Sequence, residues 1–495
     1  MHSVSEPPNV SIHNLDDDSL LSILRLCRPN CFEEDEYGKL LWSSWVQERW
    51  WYQLVKVCRR WRYLILGFAS HLGLCLICTH GTPVADMLAH SPPLPLIIDH
   101  GDKNHELTAE DEKGIMFALQ HRDRVRCIYL EKPVPCLQKL VKAMGHQFPM
   151  LEYLHIAPPT EQGAPLVLPS TFEAPQLRIL VLKQVASPIG SPLLTTSISL
   201  VRLSLRWVHP LTNLYPNHLF QALSHLPQLQ NLMITFSSPV PDPEIERQLS
   251  RMPMITHITL PNLRALTFRG VSAYLGPLLS HMNAPLLDML SFTFLSQLSC
   301  SVPHLGQFVM TTVNLRSSRV KFLFYHEAVA VFMHRSVSAY SPTLVFQIGC
   351  DHLDWQVSSV AQMFNVLSPF CSTVVDLTLD YRSHTLSSEP HNQADRTRWR
   401  ELLGSFRNVE TLRIHDGLVG ELSRFLALNG EPHSEILPKL KTLVCPIGSR
   451  DDRTFATFLH DREVAGLPID IIEDAYPPGK IKYRLEKSAG VEYIR

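Results

Sequence analysis

The sequence has little glycine and none of the glycine-rich motifs that bind phosphates. Only 21 of its 495 residues are glycine, and neither a P-loop nor a GxGxxG motif occurs. A GxSxG nucleophile elbow and an HExxH metal-binding helix are also missing. These absences argue against the common nucleotide-binding, serine-hydrolase and zinc-protease classes. We expect a chain that is not an enzyme; a hydrolase or transferase with dispersed catalytic residues is the less favoured alternative.

Neither sign of charge dominates, because 45 Lys and Arg stand against 47 Asp and Glu, giving a formal net charge of −2. This balance argues against a protein built around nonspecific nucleic-acid binding. The most apolar stretch, 63–78, is shorter than the roughly 18 residues that a membrane-spanning helix needs. We interpret it as a helix end, a turn at 67–73 and a buried strand, and we expect neither nucleic acid nor a membrane as a partner.

The 11 cysteines form no disulfide or zinc-binding pattern. They are scattered singly apart from Cys27/Cys31 and Cys75/Cys78, and a lone CxxC supplies only two of the four ligands of a zinc knuckle. The 24 histidines are dispersed. Unpaired thiols and an amino terminus without a secretory signal favour a protein of the cytoplasm or nucleus. We expect no metal and no cofactor.

One phrase, Pro-x-Leu-x-x-Leu-x-apolar, recurs along the chain. Full or proline-free copies occupy ten segments: 149–156, 175–182, 200–205, 227–234, 261–268, 285–292, 303–310, 374–379, 409–414 and 438–445. The first six leading leucines follow one another at intervals of 23 to 34 residues. This is close to the leucine-rich-repeat period of about 20–29 residues, in which each repeat contributes one short strand.

Helical spacing of apolar residues between these strands favours a strand and a helix in each unit, as in segments 219–226, 275–282 and 399–406. We therefore predict an α/β fold, with an irregular leucine-rich-repeat solenoid over 72–495, parallel strands on its concave face and helices on its convex face. An ordinary α/β domain is the alternative. The pattern stops between 315 and 374, where 320–324, 328–333 and 343–350 are predicted as strands of a hairpin-like departure.

The amino-terminal part has a different character. Residues 1–11 are polar and are predicted to be flexible. Residues 12–66 are predicted to form a helical module, in which Asp16–Asp18 lie at the start of one helix and an apolar stripe from Leu54 to Ile65 marks another. An insertion near 28–53 is rich in acidic residues and tryptophan.

Two phrases in this module carry a family resemblance. The sequence from Leu15 to Leu24, followed by Leu54-Val-Lys-Val-Cys-Arg-Arg-Trp-Arg-Tyr-Leu64, resembles an F-box, although Asp16 stands where that motif usually has proline. Together with 353–359 and 458–468, these phrases resemble the large F-box families of mushroom-forming (basidiomycete) fungi. An F-box followed by leucine-rich repeats resembles the substrate receptors of SCF ubiquitin ligases.

The resemblance implies a division of labour between the two regions. The F-box would bind a Skp-type adaptor and through it a cullin scaffold, and the repeats would hold a protein substrate for ubiquitin-dependent degradation. The residues implied in adaptor binding, or in holding the helices together, are Leu15, Leu20, Ile23, Leu24, Leu54, Val57 and Trp61. A leucine-rich-repeat interaction scaffold that does not assemble a ligase is the first alternative.

Substrate binding is predicted on the concave face, at the polar positions that alternate with the strand leucines. These candidates are Tyr153, His155, Arg202, Arg206, Asn231, Arg269, Asp376, Arg413 and His415. Because four of them are arginines, the face has basic positions that suit an acidic or phosphorylated segment of a substrate.

Overall fold

The structure is a computed structural model. It describes residues 12, 15–27, 50–102, 105–159, 165–186, 191–208, 216–236, 257–294, 302–335, 342–382, 396–415, 418–419, 422, 436–446, 453–474, 482–485 and 491–494. Residues 1–11, predicted to be flexible, and residues 28–49 of the predicted insertion lie outside these ranges.

The described part of the chain alternates short strands with short helices. The strands are β1 Leu76–Cys78, β2 Leu96–His100, β3 Val125–Leu130, β4 Tyr153–Ile156, β5 Ile179–Lys183, β6 Arg202–Val208, β7 Asn231–Phe236, β8 Ile258–Thr259, β9 Ala265–Gly270, β10 Met282–Asn283, β11 Met289–Phe294, β12 Arg319–Tyr325, β13 Ala328–His334, β14 Leu344–Gly349, β15 Asp376–Arg382, β16 Thr411–Ile414, β17 Thr442–Pro446, β18 Asp470–Asp474, β19 Lys482–Leu485 and β20 Val491–Ile494.

The helices connect these strands and form the amino-terminal module. They are α1 Asp17–Leu26, α2 Trp50–Leu54, α3 Arg59–Gly67, α4 Val84–His90, α5 Ala109–Gln120, α6 Val134–Lys142, α7 Pro192–Thr196, α8 Pro216–Leu223, α9 Ser272–His281, α10 Leu305–Thr311, α11 Leu353–Val366, α12 Ser368–Cys371, α13 Arg396–Gly404 and α14 Arg453–Val464. Within the described ranges, no helix combines the length and the apolar character that crossing a membrane requires.

Among the described residues, one 16-stranded sheet dominates, and its strand order follows the chain apart from one departure. β1 to β7, β9 and β11 pair in parallel, each with its neighbour, and β15 to β18 continue in parallel. This is a mixed α/β architecture with a large parallel sheet, and it is compatible with a leucine-rich-repeat solenoid. The short β8 and β10 pair apart from it.

The departure is the segment for which the sequence predicts a hairpin. β12, β13 and β14 enter the sheet in the spatial order β14-β13-β12, and β13 runs antiparallel to both neighbours. β14 pairs in parallel with β11 and β12 in parallel with β15, so the parallel sheet continues on each side. The three predicted strands of this segment are confirmed.

Nine of the ten recurring phrases contain a strand of the large sheet, and the exception is 303–310. That segment forms α10, because Leu305, Phe308 and Val309 bury their side chains at helical spacing. Gly306 permits a close approach there, since a Cβ on it would lie 2.2 Å from the carbonyl oxygen of Val366. The strand prediction for this phrase is wrong because its leucine and phenylalanine fit both periods.

A single hydrophobic core lies between the sheet and the helices. In the parallel strands one row of leucines enters it, as Leu154, Leu180, Leu203, Leu232, Leu266 and Leu290 occupy neighbouring register positions. Buried residues of α4 to α14 belong to the same core. The alternating residues form the opposite face of the sheet, here called the second face. It is the face that the sequence predicts to be concave.

Candidate functional site

The amino-terminal helices pack on the same core as the sheet. Leu20 and Leu24 of α1 and Leu64 and Ile65 of α3 are fully buried and belong to the main core. Arg60 links the two helices, because its guanidinium donates to the carboxylate of Asp17 at 2.6 Å and to the backbone oxygen of Leu15 at 2.6 Å. The module is therefore held by apolar packing and by one ion pair at its edge.

The apolar stripe from Leu54 to Ile65 does not form one continuous helix. α2 ends at Leu54 and α3 begins at Arg59, with Cys58 as its N-cap. The Cys58 sulfur accepts the backbone N–H of Trp61 at 3.5 Å. The break lets Val57 leave the stripe, so that its side chain is 58% exposed.

The seven implied adaptor-binding residues divide by exposure. Leu20 and Leu24 are buried in the core, and Leu15, Leu54 and Trp61 are half-buried. Ile23 and Val57 are 40% and 58% exposed. The buried and half-buried residues therefore contribute to packing within the protein. Ile23 and Val57 are the two of the seven that are exposed at the surface.

Asp16 precedes α1 and is its N-cap. Its carboxylate accepts the backbone N–H of Ser19 at 2.6 Å. This hydrogen bond holds the pKa of Asp16 below its usual value. Asp16 therefore stabilises the start of α1.

Two predicted substrate-binding residues, Tyr153 and His155, belong to the second face but are almost completely buried. The Tyr153 hydroxyl lies 3.5 Å from His155 Nδ1, and His155 Nε2 lies 3.3 Å from a Glu131 carboxylate oxygen. Tyr129 donates its hydroxyl to the same carboxylate at 3.0 Å. Burial lowers the pKa of His155 although Glu131 opposes this, and burial raises the pKa of Tyr129. We therefore assign these groups to a polar cluster inside the second face.

The other residues predicted in the first part of the face are half-buried and lie on neighbouring strands. Arg202 pairs in register with Asn231, and Arg206 and Arg269 lie nearer the carboxyl ends of β6 and β9. Arg206 donates its Nε proton to Ser204 at 3.0 Å. At the second-face positions from β5 to β11 there is no acidic side chain.

The sequence-predicted Asp376 and Arg413 lie together, farther along the sheet. An Asp376 oxygen is 2.8 Å from the Arg319 guanidinium, and the other is 3.7 Å from Arg413 Nε. Lys321 and Asp380 form another pair at 3.0 Å. His415, predicted with them, follows β16 and is half-buried. In this part of the face the basic groups already meet carboxylates of the same chain.

Sequence reasoning missed an ordered cation at the end of β5. The Lys183 ammonium lies 3.3 Å from the centre of the Trp207 ring. Gln184, directly after β5, and Trp207, at the irregularity before the last residue of β6, have φ values of 52° and 53°, in the left-handed region. The sequence does not predict this conformation, because neither position is glycine, the residue that most easily adopts a positive φ.

Comparisons with known proteins add little to this geometry. No family model matches the chain, and no curated protein matches it. Among solved structures, the chain is similar to one titled "Crystal structure of TLR13-ssRNA13 complex", with a TM-score of 0.31 and 14% sequence identity. The match covers 80% of this chain and 48% of that chain, so the chain spans about half the length of that neighbour. This likeness is too weak to carry an argument about fold or function.

Proposed function

We propose that this protein is a substrate-recognition subunit of an SCF-type ubiquitin ligase. In this proposal residues 12–66 are an F-box that binds a Skp-type adaptor, and the solenoid from 72 onward binds a protein substrate. The receptor supplies proximity and orientation, and bond formation takes place on its partners.

The observation that carries the proposal is the exposure of Ile23 and Val57 in a module that resembles an F-box in sequence. The residues Leu20, Leu24, Leu64 and Ile65 of this module are buried in the core that it shares with the sheet. Exposed apolar side chains beside such a contact suit the core of a protein–protein interface.

Substrate recognition is proposed on the second face between β5 and β9. Four basic residues, Lys183, Arg202, Arg206 and Arg269, belong to these strands, and the second-face positions of β5 to β9 carry no acidic residue of their own. Guanidinium groups form bidentate hydrogen bonds with carboxylate and phosphate, so an acidic or phosphorylated segment is the substrate chemistry that fits.

Adaptor capture by the full-length chain tests the proposal. We expect the wild-type chain to be captured by a purified Skp-type adaptor and the Ile23→Asp/Val57→Asp variant to lose capture, because a charge would enter an apolar interface. Leu20→Asp is unsuitable, since Leu20 is buried and its substitution would unfold the module.

The matched control is Val167→Asp. Val167 is 58% exposed, as Val57 is, but it lies in the solenoid, and its substitution should leave capture unchanged. Equal capture of all three proteins would show that the helices are not the binding surface. If the folded wild-type chain is not captured, the ligase proposal fails and the interaction-scaffold alternative takes its place.

A further inference from the structure

Three side chains from separate segments meet at the carboxyl end of the first strands. His80 follows β1, His100 is the last residue of β2, and Asp111 lies in the first turn of α5. One ligand atom from each of them lies within 4.8 Å of the other two. Because parallel strands end at the same edge of a sheet, the topology itself brings these residues together.

The donor set fits a divalent transition-metal ion. Two imidazole nitrogens and one carboxylate oxygen bind Zn²⁺ in proteins at about 2.0–2.2 Å and leave a position for water. Donor atoms around a tetrahedral ion at that distance are about 3.4 Å apart. His80 Nδ1 and an Asp111 oxygen lie 3.6 Å apart, and all three ligand atoms lie within 4.8 Å of one another. Binding of the ion would therefore draw the more distant atoms together by up to about 1.4 Å.

The carboxylate is held in place by its neighbours. Thr108 and Asp111 form a capping box at the start of α5, in which one Asp111 oxygen accepts the backbone N–H of Thr108 at 3.1 Å. The same oxygen also accepts the Thr108 hydroxyl at 2.6 Å. The other Asp111 oxygen accepts the backbone N–H of Gly81 at 2.9 Å, and Gly81 is the residue after His80. Hydrogen bonds of this kind orient metal-ligating carboxylates.

His100 supplies a second, independent observation. Its side chain is 2% exposed, and its Nδ1 atom has no hydrogen-bond partner within the part of the chain that the structure describes. Its ring stands edge-on to that of His80, with centroids 4.6 Å apart. A buried imidazole without its hydrogen bond is costly, and a ligand in the cluster would offset that cost.

Lys132 is the group that opposes a cation. Its ammonium lies 3.4 Å from His80 Nε2 and donates to the backbone oxygens of Asp102 and His105, both at 2.7 Å. With His80 Nδ1 on the ion, Nε2 keeps its proton and faces this ammonium. Removing the charge of Lys132 should therefore strengthen binding of a cation.

We propose that His80, His100 and Asp111 bind one divalent transition-metal ion, with Zn²⁺ as the best match. Water completes the coordination on the side where His80 is partly exposed. The ion cross-links the segment after β1, the end of β2 and the start of α5. It therefore stabilises the first strands of the sheet. This inference is independent of the proposed ligase function and replaces the sequence-based expectation of no metal.

The test is titration of the metal-stripped, full-length chain with Zn²⁺, followed by calorimetry. We expect one tight site in the wild-type protein, and an affinity at least about a hundredfold lower in His80→Gln and in His100→Gln. His225→Gln is the control, because His225 is exposed and remote in sequence, and it should bind as the wild type does. Lys132→Met should bind roughly tenfold more tightly.

Two further readouts keep the proposal falsifiable. Zn²⁺ should raise the melting temperature of the wild type and not that of His80→Gln, whose metal-free melting should match the wild type. Co²⁺ should give a spectrum without a thiolate charge-transfer band. Equal Zn²⁺ affinity in wild type and His80→Gln, the absence of saturable binding, or a thiolate band from the cysteines would each overturn the assignment.

Discussion

The two parts of the second face, β5 to β9 and β12 to β16, differ in how their basic and acidic residues are distributed. In the earlier part, Lys183, Arg202, Arg206 and Arg269 lie on β5, β6 and β9, and the second-face rows from β5 to β9 carry no acidic residue. From β12 to β16, the basic groups of Arg319, Lys321 and Arg413 meet Asp376 and Asp380. Neighbouring strands are only about 4.8 Å apart, so side chains of one register row act on each other directly.

This difference bears on the proposed binding of an anionic substrate segment. In the later part an incoming carboxylate would have to displace Asp376 from two guanidinium groups. In the earlier part the second-face rows themselves carry no acidic residue. The ion pairs of the later part join β12, β15 and β16, which pair with one another in parallel.

The largest expected effect concerns the packing that supports the later part. Gly306→Ala should destabilise the protein by about 1–3 kcal/mol, because the new Cβ meets the backbone oxygen of Val366, which cannot move aside. Gly276→Ala in α9 is the matched substitution beside the earlier part, where nothing lies within 4 Å. Urea unfolding should give a lower free energy of unfolding for Gly306→Ala than for Gly276→Ala. Equal values would mean that α10 does not pack tightly against the end of α11.

A smaller loss of stability is expected from Asp376→Ala. This change leaves the Arg319 and Arg413 guanidinium groups facing each other without their carboxylate, and should cost about 1–2 kcal/mol. Asp376→Asn, which keeps an accepting oxygen, should cost less. If the alanine variant is as stable as the wild type, the ion pairs of Asp376 with Arg319 and Arg413 do not stabilise the protein.

The smallest effect on stability, and the sharpest on binding, is expected in the earlier part. Arg202→Gln/Arg206→Gln should weaken binding of a fluorescent phosphoserine- and glutamate-rich peptide by roughly tenfold, with little change in melting temperature. Arg413→Gln is the control from the later part, because Arg413 already faces Asp376. Equal losses in both variants, measured by fluorescence anisotropy, would remove the distinction between the two parts.

Much of the sheet could be predicted from the sequence, because the residue pattern that specifies each strand lies within one short segment. A strand of four to seven residues with alternating leucines is recognised from one phrase, and Leu180 or Leu266 could be placed in the core directly. The strand predicted at 303–310 is wrong, because the spacing of Leu305 and Phe308 fits a helix as well as a strand. The outcome there depends on Gly306 packing against Val366, a contact across about 60 residues of sequence.

The candidate sites were less predictable because exposure and convergence are tertiary properties. Periodicity placed Leu20 and Val57 in one class, and only the break between α2 and α3 separates them. His80, His100 and Asp111 share no recognisable spacing. His80 and His100 lie just after or at the carboxyl end of a strand, and Asp111 lies in the first turn of the helix that follows β2, so the three can be related only after these elements have been assigned.

The most direct test of the central claim is amide hydrogen exchange of the full-length chain with and without a purified Skp-type adaptor. The account predicts slower exchange in 15–27 and 50–67, with the sheet strands unchanged. Unchanged exchange in these two segments, or protection confined to the strands of the second face, would contradict the claim that the amino-terminal helices are the adaptor-binding surface.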